Sequence, residues 1–194
     1  MRDALHVPLV EGELALEPLT PAHREPLRAA CAADAAIWSI YSSNFGPENF
    51  DAAFASLIGH ASRMPYAIIA GGEVAGMTAW LRADWSAETI EVGNSYLHPA
   101  WRGTGINGRV KHMMLDHAFA VGIRRVEFRI DERNARSQAA VLKLGAVKEG
   151  VLRAERVTWT GHVRDTGLFS ILADEWRSKR ASALVQQTSG NEVT

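Results

Sequence analysis

The pattern of apolar residues along the 194-residue chain predicts a single α/β domain built on a mixed, mostly antiparallel sheet with helices on both faces. Three observations carry this. Two apolar runs meet across Gly71-Gly72 as a tight hairpin. A strand, loop, helix, strand, helix succession then follows through residues 88–145. Two last runs pair across Thr160-Gly161, closing the chain with an antiparallel end.

Taken in order, residues 14–19 alternate in part as a strand, and Thr20-Pro21 reads as an N-cap followed by proline at the first helical position. That helix is expected to reach Asp34. Trp38, Tyr41 and Phe45 then fall on a loop or short turn before a second helical pattern over 47–60. Residues 66–70 and 74–81 form the first hairpin, and 88–97 a further strand closed by Pro99. Period-2 geometry puts Glu91, Gly93, Ser95 and Leu97 on one face of that strand, with Val92, Asn94 and Tyr96 on the other. Residues 105–121 carry apolar side chains at helical spacing, 126–130 is a short strand, and 134–144 a helix ended by Gly145. The final hairpin takes residues 147–159 and 162–171, and a last helix begins near Ala173. The domain is expected over residues 1–180. Residues 181–194 turn polar without sustained periodicity and read as a flexible tail.

Bulk properties narrow the partners. With 21 Lys+Arg against 22 Asp+Glu there is no overall basic field to favour nucleic acid or an anionic membrane. Arg124, Arg125 and Arg129, with apolar residues between them, fit a strand with one solvated face. Cys31 is the only cysteine, which leaves no intrachain disulfide and reads as a buried core thiol in a reducing compartment. No window approaches eighteen apolar residues, and a cytoplasmic location is the expectation. His112 and His117 fall on different helix faces, and no histidine pair has metal-ligand spacing, so no metal is expected.

The strongest local signal is Arg102-Gly103-Thr104-Gly105-Ile106-Asn107 between a strand end and a helix start. A first helical turn has free N–H groups and the positive end of the helix dipole, and two glycines let a phosphate approach closely. Other phosphate binders use such loops. No Lys-Ser/Thr pair follows the glycines, as a P-loop requires. Gly103, Gly105 and Gly108 do meet the dinucleotide spacing, but the loop follows an antiparallel meander rather than the first strand of a parallel unit, which demotes NAD.

These residues, together with Asp131-Glu132-Arg133-Asn134-Ala135-Arg136-Ser137-Gln138 and Leu142-Lys143-Leu144-Gly145-Ala146, resemble the GNAT acetyltransferases, most closely their RimJ/RimL-like branch, over about residues 10–178. The resemblance implies a sheet splayed into a coenzyme-binding cleft and acetyl-CoA as co-substrate. It implies a pyrophosphate site at Arg102 to Asn107, with Asn107 standing where the general pattern has a small residue. Asn134 would contact the pantetheine arm, although Asn is also a favoured N-cap whatever the ligand. Lys143 belongs to the same matched segment and to the coenzyme set. Many members carry a tyrosine acid seven residues after the asparagine; here Val141 stands there, and Ser137 is the remaining candidate to steady the departing thiolate.

Acetylating an amine requires a base and an oxyanion donor. Glu91, on the strand leading to the loop, is the candidate base, against the alternative of a solvated cross-strand partner. A backbone N–H near Leu97 is the candidate oxyanion donor. Trp38, Tyr41 and Glu91 are the candidates to face the acceptor. The implied activity is direct acetyl transfer to a protein N-terminal or small-molecule amine, with room for a homodimer. The competing reading is a coenzyme-A-binding regulatory module without catalysis, which the absent tyrosine keeps open.

Overall fold

The computed structural model describes residues 2–190. Its centre is an eight-stranded sheet in the order β1-β2-β3-β4-β5-β6-β8-β7. The strands are β1 (Leu9–Glu11), β2 (Leu14–Pro18), β3 (Met64–Ala70), β4 (Glu73–Asp84), β5 (Thr89–Leu97), β6 (Arg125–Asp131), β7 (Val147–Val157) and β8 (Val163–Leu172). All neighbours are antiparallel except β5 and β6, which run parallel. The expected mixed, mostly antiparallel sheet is therefore what forms.

Helices cover both faces. α4 (Ile106–Ala120), α5 (Ala135–Leu144) and α6 (Ala173–Gly190) lie on one side, where Val110, Met114 and Leu144 pack with Trp80, Val92, Phe128 and Phe169. α2 (Arg24–Ala32) and α3 (Phe50–Gly59) lie on the other, where Leu27, Cys31 and Phe54 pack with Ala67, Met77 and Tyr96. Removing these side chains from water is the main stabilising term for both layers.

Several expectations are corrected in detail. The helix foreseen from Pro21 to Asp34 is a 3-10 turn, Pro21–His23, leading into the shorter α2, and the second helix starts at Phe50 rather than Pro47. A short helix α1 (Arg2–Leu5) and β1 precede the first foreseen strand. Residues 181–190, read as part of a tail, continue α6; residues 191–194 lie outside the described residues.

The consequential correction is in β5. Met77 pairs with Tyr96 and Ala79 with Gly93, so Asn94 and Ser95 together oppose the single residue Thr78, a β-bulge with Asn94 at φ +48°. The extra residue inverts the alternation. Glu91 points to the face opposite Ile90 and Val92, whereas Ser95 and Leu97 point toward α4. The four residues expected on one face are thus divided between two.

The same region opens the sheet. β5 and β6 pair only through Thr89↔Arg125, Ile90↔Val126 and Glu91↔Glu127. Beyond Glu91 the strands part, while β6 stays paired with β8 as far as Asp131↔Thr166. A cleft results, bounded by the bulge of β5 and the far half of β6.

Candidate active site

The cleft holds a cavity of about 1060 Å³. At one end is the loop that follows β5. Gly103 and Gly105 have φ +79° and +88°, the left-handed region that glycine enters without steric cost, and nothing stands within 4 Å of where a Cβ would project. Among the described residues, the N–H groups of Gly103, Thr104 and Gly105 have no acceptor. The first-turn amides of α4 also lack intrahelical partners. These donors gather at the positive end of a 15-residue helix, a concave nest suited to a phosphate.

Arg102 plays a different part from that expected of a phosphate-facing cation. Its Nε donates to the Leu97 carbonyl at 2.9 Å, its Nη1 pairs with Asp34, and its guanidinium lies 5.5 Å from the centre of the Tyr96 ring. The side chain turns inward and ties the loop to the end of α2. Thr104 Oγ1 likewise turns back to donate to the Trp101 carbonyl, and Ile106 is core. Asn107 lines the cavity.

Across the cleft, Asn134 caps α5: its Oδ1 accepts from the Ser137 N–H at 3.0 Å. The capping role is thus filled, and the amide nitrogen has no partner among the described residues. Ser137 lines the cavity beside it with a free hydroxyl, and the nearby Val141 is apolar and buried. Lys143 is not brought in. It sits exposed in the last turn of α5, its carbonyl accepting from Lys179 Nζ, away from the cavity wall.

Glu91 lies on the cavity wall at the end of the paired part of β5, only 6% exposed. Its Oε2 meets Arg82 Nε at 3.0 Å and Arg129 Nε at 3.5 Å. Burial pushes its carboxyl up to about 7, against the opposing pull of Arg82, Arg129 and Arg156. A carboxylate in that range is half ionised near neutral pH and suited to accept a proton. Glu91 is thus buried rather than solvated, and its ion pairs with Arg82 on β4 and Arg129 on β6 do make it a cross-strand partner.

The two aromatic candidates separate. Trp38 is fully buried, its Nε1 donating to the Cys31 carbonyl at 3.2 Å and its ring packed on Tyr41, Phe45 and Tyr96, so it is core rather than acceptor wall. Tyr41 does line the cavity. Its hydroxyl donates to the Ser95 carbonyl at 2.8 Å, and burial raises it to about 12. Trp159, at the turn of the β7–β8 hairpin, reaches across and donates from Nε1 to the Trp38 carbonyl at 2.9 Å. The hairpin is thereby tied to the segment that carries Tyr41.

Sequence reasoning missed Lys111. It projects from α4 to the bulge, where Nζ donates to Thr78 Oγ1 at 3.1 Å and to Ser95 Oγ. It is 5% exposed, has no carboxylate partner among the described residues, and burial lowers its ammonium to about 7. The available signal was a lysine amid the apolar positions of α4, between Val110 and Met114. The neighbouring histidines serve structure. His112 bonds the Gly108 carbonyl and packs on Trp176, and His117 bonds the Ala4 carbonyl.

The model of the acetyltransferase (GNAT) domain matches residues 13–147. A GNAT-family structure from Chromobacterium violaceum ATCC 12472 shares 28% identity over 89% of each chain, with a TM-score of 0.83. A GCN5-related N-acetyltransferase from Brucella melitensis shares 26% identity over 89% of this chain and 81% of its own, with a TM-score of 0.82. RimJ from Mycobacterium smegmatis, solved with CoA-disulfide, shares the fold at 22% identity over 87% of each chain, with a TM-score of 0.72. No curated protein matches the sequence.

Proposed function

The chain belongs to the GNAT acetyltransferase family, whose chemistry is acyl transfer from acetyl-CoA, and on that premise we propose that it transfers the acetyl group directly to a protein N-terminal or small-molecule amine. The observation that carries this reading is the juxtaposition of an unpaired amide nest at Gly103–Gly105 with the cleft whose wall holds Glu91. The nest and the first turn of α4 hold the pyrophosphate. The facing edges of β5 beyond Glu91 and β6 beyond Glu127 have no strand partner, and the two amides of the pantetheine arm fit such edges. The Asn134 amide nitrogen is positioned for the same arm.

Glu91 takes the proton of the acceptor ammonium, directly or through water, freeing the nitrogen lone pair for attack on the thioester carbonyl. The N–H at Leu97 is the proposed donor to the tetrahedral oxyanion. Ser137, with its free hydroxyl, steadies the departing sulfur. Tyr41 shapes the acceptor side. We place the enzyme in the RimJ/RimL-like branch, supported by Arg102-Gly103-Thr104-Gly105-Ile106-Asn107 and by the fold shared with RimJ. A single catalytic domain over residues 1–180 and a cytoplasmic site of action complete the reading; the buried thiol of Cys31 supports a reducing compartment.

The test is thiol release from acetyl-CoA over a panel of amines and peptides, followed against pH. For a base that must be ionised, kcat/KM rises as pH climbs through about 7 and levels off above it. Glu91→Gln lowers kcat/KM by about 10²–10⁴ and removes that limb. Tight binding of acetyl-CoA with no thiol released by any amine would return the chain to the binding-module reading.

A further inference from the structure

The sequence sets Arg82, Arg129, Arg156 and Arg164 on four different strands, and the sheet gathers them around Glu91. Arg82 meets Glu91 at 3.0 Å and Glu155 at 3.6 Å, Arg129 meets Glu91 at 3.5 Å, and Arg156 holds Glu155 at 2.5 Å. Arg164 is 6% exposed, its Nη2 donating to the Arg129 carbonyl at 3.0 Å while its buried Nε has no partner among the described residues. All four line the cavity.

The carboxylates do not balance them. Asp131 is occupied by both Nε and Nη2 of Arg133 and approaches Arg164 only at 4.0 Å, and Glu127 is divided between Arg125 at 3.0 Å and Arg129 at 3.3 Å. That leaves two undivided carboxylates, Glu91 and Glu155, with a share of Glu127, against four guanidiniums. When Glu91 accepts a proton from the acceptor, one of those two charges is lost. The crowding has a mark on Arg164, whose guanidinium is held below its ordinary value by burial and by Arg156. Arg63, on the same cavity, adds a cation with no ion-pair partner among the described residues.

A wall with surplus positive charge repels a plain ammonium and repels a polyamine more strongly. It suits an amine that brings its own anion, because guanidinium and carboxylate match in geometry as well as charge. We infer that the acceptor carries a carboxylate close to its amine, held by Arg156 and Arg164 while the amine faces Glu91. This rests on the proposed reading that the Glu91 end of the cleft receives the acceptor. Two sources present the same chemistry: a free α-amino acid, and the N-terminus of a peptide that begins with an acidic residue.

The experiment pairs acceptors that differ only in charge: an α-amino acid and its amide, an Asp-first peptide and its Asn-first counterpart, with spermidine as the polycation. Acid acceptors are expected to exceed their amides at least tenfold in kcat/KM, and the better acid identifies the source. Arg156→Gln is expected to erase most of that ratio, read as acid over amide on the same protein so that any change in Glu91 affects both acceptors alike. Arg164→Lys does so more mildly, and it serves if removing that buried charge outright prevents folding. Binding of the same acids and amides to the CoA complex, followed by NMR, reads the charge preference without turnover. Acid-selective binding with no thiol release would uphold this inference and defeat the transfer reading. Amides or spermidine bound or acetylated as well as the acids would overturn the inference and leave transfer standing.

Discussion

A single amine, Lys111 Nζ, sets the stability of the bulge against pH. Its ammonium drops from the ordinary value near 10.5 to about 7 in the folded chain, because the site offers Thr78 and Ser95 hydroxyls but no carboxylate. A lowered lysine contributes stability that is complete above its unfolded value and is lost as pH falls toward the folded one. Lys111→Met removes the cost of that buried amine. Its stability relative to the native chain should therefore rise as pH falls from about 10.5 to about 7, by roughly 1.4 kcal/mol for each pH unit. Chemical denaturation at several pH values measures this; an offset between the two proteins independent of pH would refute it. Such a residue is hard to read in advance, since a lysine in a helix normally reaches solvent along its flexible stem. Trp38 misled in the other direction. It lies in a segment between helices, where binding residues gather, but the 3-10 turn of Ala35–Ile40 folds it into the core and leaves Tyr41 on the cavity.

At the scale of elements, the loop and α4 form the part of the site that the sequence reveals most fully, because glycine spacing, helix start and dipole all follow from local rules. The same rules predict what breaks it. Gly105 has φ +88° with open space around its Cβ position, so Gly105→Ala meets no neighbour yet costs roughly 1–2 kcal/mol for a left-handed alanine. The added methyl projects into the open space where the proposed phosphate would lie, and the Kd for CoA by calorimetry should rise at least tenfold. Near-native affinity would remove the loop from the coenzyme site. β5 was less legible. Strict alternation groups Ser95 with Glu91, but the bulge puts Ser95 toward Lys111 on the other face. Its one local sign is Gly93-Asn94, since asparagine tolerates φ above zero better than most residues. The one-residue mismatch itself is a property of strand pairing, which a single strand's pattern does not contain. Elements as short as β1 and α1 offer too few residues for any period to register.

For the molecule as a whole, two halves of the sheet, β1–β5 and β6–β8–β7, meet through three parallel residue pairs. The Trp159 indole is a second tie, from the hairpin turn to the Trp38 carbonyl. The ring is half exposed, so Trp159→Phe should lower stability by no more than about 1 kcal/mol. Its larger effect falls on the acceptor, with KM raised several-fold while CoA affinity is unchanged. A change in CoA affinity instead would put the hairpin on the coenzyme side. The three-pair seam has a thermodynamic consequence as well. Below it, two strand edges have forgone the hydrogen bonds that a continuous sheet would have made, and a ligand lying between them completes a ladder the polypeptide leaves unfinished. A molecule that binds only the folded form adds RT ln(1 + [L]/Kd) to its stability, about 2.7 kcal/mol at a hundredfold excess over Kd. The protein's resistance to unfolding and proteolysis is thereby tied to the concentration of its coenzyme.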